Sequence, residues 1–387
     1  ASFPGREFPK DQKNFEFEFL GFTVFYDPPK RNIREVFQKI YQAGIKVKVI
    51  TGDNADTTKA IALQAGVINT TPPVNGSEIN KAPNDQIKKV AHSHTLFTRM
   101  FPEVKLKVVN ALKQNGEVVA MLGDGVNDAP ALKAAHIGVA MGTKGTEIAK
   151  AASSLVITND DLGKLITGIA EGRRIYTNLK KAIQYIISIH IPIILTVSLP
   201  LFLGWAYPNI FTPVHVIFLE LIMGPTCSIV YENEPMERNT MLQNPRKLTD
   251  TFLNFKELFV SIFQGLMITA GVLFAYQHTL QEGGDEEKTR AIVFSTLIFA
   301  NVLLSFTNRS FYYSIIESFR YRNHLLVSVT VAALGLLFAI LFISPLSAFF
   351  RVTSLTIGEI AFASFVAAVS VLWFEVYKLV KRSKRES

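Results

Sequence analysis

Up to about residue 181, hydrophobic positions fall in short runs separated by polar stretches; beyond it they merge into long apolar blocks. Residues 1–18 show no clear period, and 20–26 alternate like a strand ending at Asp27-Pro28-Pro29. Over 30–43 the positions Ile33, Val36, Phe37, Ile40 and Tyr41 form a helical stripe that Gly44 stops. Residues 45–50 form a run dominated by β-branched residues, the pattern of a buried parallel strand, and end at Thr51-Gly52-Asp53. A helix over 56–65 closes at Gly66, followed by a loop rich in Pro and Asn. A strand over 95–99 and a helix over 103–114 come next. The run 118–122 has strand character and ends in Gly123-Asp124-Gly125. A helix then opens at Asp128-Ala129-Pro130, with Asp at the cap and Pro in the first turn. Residues 137–140 and 154–158 read as short strands. This alternation predicts a parallel, helix-covered α/β sheet.

The second part reads differently. A charged helical pattern over 161–181 runs directly into residue 182, as a stalk helix entering a bilayer does. Apolar spans follow at 182–204, 211–231, 255–277, 291–307, 325–343 and 358–380. Most are long enough to cross a hydrocarbon core, and the fourth is the shortest. An all-α six-helix transmembrane domain is therefore expected.

Charge orients it. The loop 308–324 holds Arg309, Arg320 and Arg322, and the tail holds Lys378, Lys381, Arg382, Lys384 and Arg385. The loop after Gln277 is acidic, with Glu282, Asp285, Glu286 and Glu287. The positive-inside rule puts the basic segments and the α/β part in the cytoplasm, leaving a multi-pass integral protein of the plasma (inner) membrane.

Composition adds limits. Across 387 residues the hydrophobic share is 49% and the net charge +8. The basic residues flank the apolar spans, so topology explains them and no nucleic-acid partner is expected. The single cysteine, Cys227, excludes an internal disulfide framework. No charged-then-apolar leader opens the chain, and the start without Met leads us to expect a fragment.

Three strand ends carry polar groups: Asp27, Thr51 with Asp53, and Asp124. In an open α/β sheet, neighbouring strands bring such groups to one crevice. Asp124 and Asp128, four residues apart around a glycine turn, can share a divalent cation or its water shell, and Mg²⁺ favours oxygen ligands. Lys105, near the start of its helix, can supply a cation to a phosphoryl group. No GxxxxGK[ST] loop and no GxGxxG is present. Within the apolar spans, polar side chains are costly and mark an ion path. Glu220 lies mid-span before Gly224-Pro225, which should break the helix and free carbonyls. His190 and Pro192 are expected to interrupt the first span, and Asn301 lies in the fourth. Glu232 and Glu234 read as solvated residues at the cytoplasmic interface.

The stretches TGDNADTTKAIALQAGV, FTRMFPEVKLKVVNALK and MLGDGVNDAPALKAAHIGVAMG, in this order before a membrane region, resemble P-type cation-transporting ATPases of type II, the calcium-pump-like branch. The resemblance implies a haloacid-dehalogenase-like, Rossmann-like fold for the α/β part, with Mg²⁺ and ATP as cofactors. It places Mg²⁺ on Asp124 and Asp128. It puts Asn127 and Asp128 around the phosphoryl group, and Thr51, Gly52, Asp53 and Arg99 against phosphoryl and nucleotide. It gives Lys105 the charge-neutralising role. Asp27 matches a hinge toward the nucleotide domain. The implied organisation is the tail of a nucleotide-binding domain (1–18), a phosphorylation domain (19–160), a stalk helix (161–181) and a six-helix membrane domain with a cytoplasmic tail (182–387).

The family's nucleophile, the Asp of a DKTGT motif, does not occur in these residues, nor does the TGES loop. A covalent aspartyl-phosphate step needs that nucleophile. The expected role is therefore the carboxyl-terminal part of an ATP-driven cation pump whose remaining partner is its amino-terminal part. Glu220, His190 and Asn301 are its transport-site candidates, and Ca²⁺ is the leading cargo. Against calcium pumps, SIHIPIIL holds no acid and LELIMGPT has Gly224 in place of Asp. A pump for H⁺ or a monovalent cation, and a truncated non-catalytic membrane protein, remain as alternatives.

Overall fold

A computed structural model describes residues 11, 18–23, 28–30, 32–68, 71–320 and 322–386. Asp27 and the end of the strand expected over 20–26 lie outside the described residues. Residues 20–23 are not a strand, and Leu20 and Phe22 are 87% and 89% exposed. Among the described residues no strand pairs with them.

The α/β part begins with α1 (Ile33–Gln42), β1 (Val49–Ile50) and α2 (Ala55–Ala65). Asn54 caps α2 by accepting the Thr57 N–H, and Gly66 ends it in the left-handed region, as the helix-stop pattern predicts. The segment expected to be a loop instead holds β2 (Val74–Asn75), α3 (Gly76–Lys81) and α4 (Asn84–Ser93). Its Asn and Pro residues act as caps: Asn75 accepts the Ser77 N–H at the head of α3, and Pro83 precedes α4. Ile79 and Ile87 bury against Phe97 and Val104. Next come β3 (Leu96–Thr98), α5 (Pro102–Gln114), β4 (Ala120–Gly123), α6 (Ala129–Ala134), β5 (Ile137–Met141), α7 (Glu147–Ala152) and β6 (Leu155–Ile157).

All pairings among these strands are parallel, but they form two sheets of three rather than one, in the orders β1-β3-β2 and β4-β5-β6. Helix α5 bridges the halves. Val108 packs into the core under β3, and its neighbour Val109 packs into the core under β4. The starts of β1 and β4 are tied across the divide by Lys46 and Glu117, 3.6 Å apart.

A single helix, α8 (Gly163–Phe202), carries the charged stalk and the first apolar span. At 40 residues it is about 60 Å long. Contrary to expectation, it runs through His190, Pro192 and Pro200 unbroken. Pro192 has no N–H for the Ser188 carbonyl. Helix α10 (Phe255–Gln281) closes on that carbonyl through Gly265, where an added Cβ would lie 2.8 Å from it. Between them, α9 (Pro213–Pro225) ends at its proline and passes into a π-helical turn, Thr226–Val230.

The chain continues through α11 (Glu286–Thr307), α12 (Ile315–Ser318), α13 (His324–Phe342), α14 (Ser344–Phe350) and α15 (Ile357–Glu386). Among the described residues five helices are long and apolar enough to cross a membrane, α8, α10, α11, α13 and α15. The α9 segment is shorter, so a count of six such helices is not reached. Helix α11 is the most enclosed, packed against α10 and α15.

Candidate phosphoryl site and membrane polar groups

Asp124 sits at the carboxyl end of β4, exposed, with its carbonyl accepting the Thr146 N–H at 2.9 Å. Asp128, 8% exposed, turns back over the strand end. Its Oδ1 lies 2.7 Å from Lys105 Nζ and its Oδ2 accepts the Gly125 N–H at 3.4 Å. The pattern led us to expect Asp128 as a helix cap, yet its side chain makes no cap bond to α6, because Lys105 takes it. The fold permits this only with glycine at 123: an added Cβ would stand 2.6 Å from Asp128 Cβ. Asn127, beside it, is exposed.

The second cluster is a stitched turn. Thr51 Oγ1 donates to Asp53 Oδ2 at 3.0 Å and accepts the Asp53 N–H at 3.1 Å. Arg99 and Met100 donate their N–H groups to the carbonyls of Asp53 and Thr51, both at 2.9 Å. Arg99 holds a positive φ of 51° to do so. Gly52 lies between the two. Among the described residues no hydrogen bond joins this turn directly to Asp124. Helix α5 and the residues just before it link them, since Arg99 and Met100 bind the turn and Lys105 reaches Asp128.

Among the described residues no three His, Cys, Asp or Glu side chains group as a metal site. Mg²⁺ commonly takes one or two protein carboxylates and fills its remaining positions with water and phosphate oxygens. Asp124, with Asp128 beside it, fits that donor set.

In the membrane half, His190 Nε2 lies 3.2 Å from Glu220 Oε1. His190 Nδ1 is 2.8 Å from the Ile186 carbonyl, which only accepts, so Nδ1 carries a hydrogen. The pair lies on an open face with Ile194, Ile217 and Leu221, each at least 60% exposed.

Asn301 is elsewhere: its Oδ1 takes the Tyr185 hydroxyl, and its Nδ2 is buried without a partner. It borders a cavity of about 10 Å³ shared with Thr226, Ser305 and Thr330. Tyr185 carried no signal in the sequence beyond an apolar helix position.

Glu234 departs from expectation. It is 4% exposed, not solvated. Arg309 Nε and Asn323 Nδ2 donate to its two oxygens at 2.8 and 2.7 Å. Lys181 and Glu237 form a second buried pair, 2.6 Å apart. Lys378 donates to the carbonyls of Thr307, Ser310 and Tyr313 at the end of α11. The signal for these was the basic cluster itself, read as surface charge. Glu232 is exposed, as expected.

A strand-end carboxylate beside a buried Lys–Asp pair, on parallel strands feeding a long membrane helix, defines a phosphoryl-handling domain joined to a membrane bundle. Two family models divide the chain along that line: haloacid dehalogenase-like hydrolase over residues 6–136, and cation transporting ATPase, C-terminus, over residues 208–380. The calcium-transporting ATPase 1 of Bacillus cereus is 31% identical over 382 residues, covering 94% of this chain and 43% of that protein. A calcium-transporting ATPase of Bacillus subtilis is 30% identical, covering 90% of this chain and 39% of its own length. Calcium-transporting ATPase type 2C member 1 of Homo sapiens is 28% identical, covering 95% and 40%. The chain belongs to the P-type cation-transporting ATPases, calcium-pump-like, and corresponds to their carboxyl-terminal portion. It spans less than half the length of the curated relatives it matches.

Proposed function

We propose that this chain is the phosphorylation domain, stalk and carboxyl-terminal membrane domain of an ATP-driven Ca²⁺ pump. The reading is carried by one observation: the buried Lys105–Asp128 pair stands beside Asp124 at the end of β4. Support for the cargo comes from the relatives, which are named calcium-transporting ATPases. The domain limits follow the sequence reading: 1–18, 19–160, 161–181 and 182–387. The sixth crossing is α9 continued by its π-helical turn. The basic loop 308–324 and the tail face the cytoplasm, and the bilayer is the plasma (inner) membrane.

In this reading the nucleophile arrives on a segment outside the chain. Among the described residues β1 and β4 are each paired on one side only, so each leaves an edge to which a further parallel strand can add. Such a strand would end beside the Thr51–Asp53 turn or beside Asp124. Mg²⁺, when bound, neutralises charge on the transferring phosphoryl group. Asp124 would hold it, with Asp128 beside it. Lys105 sets a positive charge toward the phosphoryl oxygens, and Asn127 donates to them. Thr51, Gly52, Asp53 and Arg99 orient the phosphoryl and nucleotide. Glu220, paired with His190, is the carboxylate of the cation path, with Asn301 lining a separate polar chamber.

The test is ATP-dependent uptake of radioactive Ca²⁺ by vesicles containing the full-length protein. Uptake abolished by Asp124→Asn supports the reading. Uptake equal to that of empty vesicles, with H⁺ or Na⁺ moved instead, overturns the cargo.

A further inference from the structure

The segment joining β5 to α7 runs past Asp124 and is held from two sides. On one side the Thr146 N–H donates to the Asp124 carbonyl at 2.9 Å. On the other, the Asp160 carboxylate accepts the N–H groups of Thr143 and Lys144 at 3.0 and 2.9 Å. Asp160 is 6% exposed and sits at φ 54°, in the left-handed region. Its own carbonyl accepts from Lys30 Nζ. The next residue, Asp161, accepts from Asn32 Nδ2 at 3.1 Å and from the N–H of Gly163, the first residue of α8, at 2.9 Å. Burial works to raise the Asp160 carboxyl. The N–H groups of Thr143, Lys144 and Gly142, with Lys30, outweigh it and hold the carboxyl below its ordinary range.

We propose that Asp160 is a positioning residue. Its carboxylate clamps the 142–146 segment, and through Thr146 the Asp124 end of β4, to the head of the stalk helix. The inference rests on the reading of Asp124 as the Mg²⁺-side carboxylate. Two backbone donors on one buried anion make a tight clamp, because charge-assisted bonds are the strong ones. Asp160 touches neither phosphoryl nor metal. It acts through the backbone of 143–146, and the same turn fixes where α8 begins.

Two substitutions separate the carboxylate from the backbone shape. Asp160→Gly keeps the left-handed conformation accessible and removes both acceptor oxygens. Asp160→Asn also tolerates that conformation and keeps one acceptor. In the full-length protein, hydrogen exchange over 142–146 should quicken about tenfold in Asp160→Gly and by less in Asp160→Asn, with α5 amides unchanged. The Mg²⁺ concentration giving half-maximal phosphoenzyme should rise about three- to tenfold, while the maximal level stays within about twofold of the parent. Unchanged exchange in Asp160→Gly overturns the clamp. A Mg²⁺ curve that superimposes on the parent's overturns the positioning role. If Asp124→Asn phosphorylates normally, the Asp124 assignment falls instead, and the exchange result still decides the clamp.

Discussion

Lys105 Nζ and Asp128 Oδ1 lie 2.7 Å apart, with their side chains 12% and 11% exposed. Neither residue announces the pair locally, since 22 residues and a strand separate them. Removing the cation leaves Asp128 buried without a countercharge, a loss of about 3–5 kcal/mol for a buried pair. It also removes the positive charge facing the phosphoryl group. Lys105→Met in the full-length protein is expected to lower the phosphorylation rate about 10²- to 10³-fold and to lower the melting temperature. Rapid-quench labelling and thermal unfolding check this together, and a variant unchanged in both removes Lys105 from the site.

His190 Nε2 lies 3.2 Å from Glu220 Oε1, beside the carboxylate proposed to take the cation. Glu220→Gln should raise the half-saturating Ca²⁺ about tenfold or more, while phosphorylation from inorganic phosphate persists. Ca²⁺ titrations of ATPase activity decide, and an unaltered titration in Glu220→Gln takes the residue out of the cation path.

Glu234 and Arg309 are 5% and 3% exposed at the side chain and tie the end of the α9 region to the loop after α11. Either single neutralisation, Glu234→Gln or Arg309→Met, is expected to destabilise by about 3–5 kcal/mol. The double variant should cost clearly less than the sum of the two. Additive losses in detergent unfolding would mean the residues act independently.

How much of this was legible follows from what a residue depends on. The helices over 33–42, 55–65 and 102–114 were legible because apolar spacing and Gly or Pro stops are local signals. The β2–α3–α4 segment was not, since its Asn and Pro residues look like loop chemistry until their capping bonds are seen. The motif residues Asp124, Lys105 and Thr51 could be named from the chain. The partnering of Asp128 with Lys105 could not, because the cap position offered a local use for the same carboxylate. Glu234 was misread for a similar reason: an interfacial acid is solvated unless a distant Arg is folded onto it. The unbroken passage of α8 through Pro192 depends on α10, which no local rule contains.

The depressed Asp160 carboxyl gives a pH expectation for the 142–146 clamp. With the folded-state value below the ordinary aspartate value of about 3.9, its contribution is complete above that value. It is lost only as pH falls through the lowered one. Hydrogen exchange over 142–146 should therefore keep its protection, after correction for intrinsic rates, down to about pH 4. Protection lost already between about pH 6 and 5 would contradict the clamp.

The account as a whole turns on a Mg²⁺-dependent phosphoryl pocket at Asp124 driving a cation path through α8. Acid-stable labelling of the full-length protein by ATP, with and without Ca²⁺, tests it most directly. The account predicts label that appears only with both Mg²⁺ and Ca²⁺ and is absent from Asp124→Asn. Label that forms equally well without Ca²⁺, or that survives in Asp124→Asn, would contradict it.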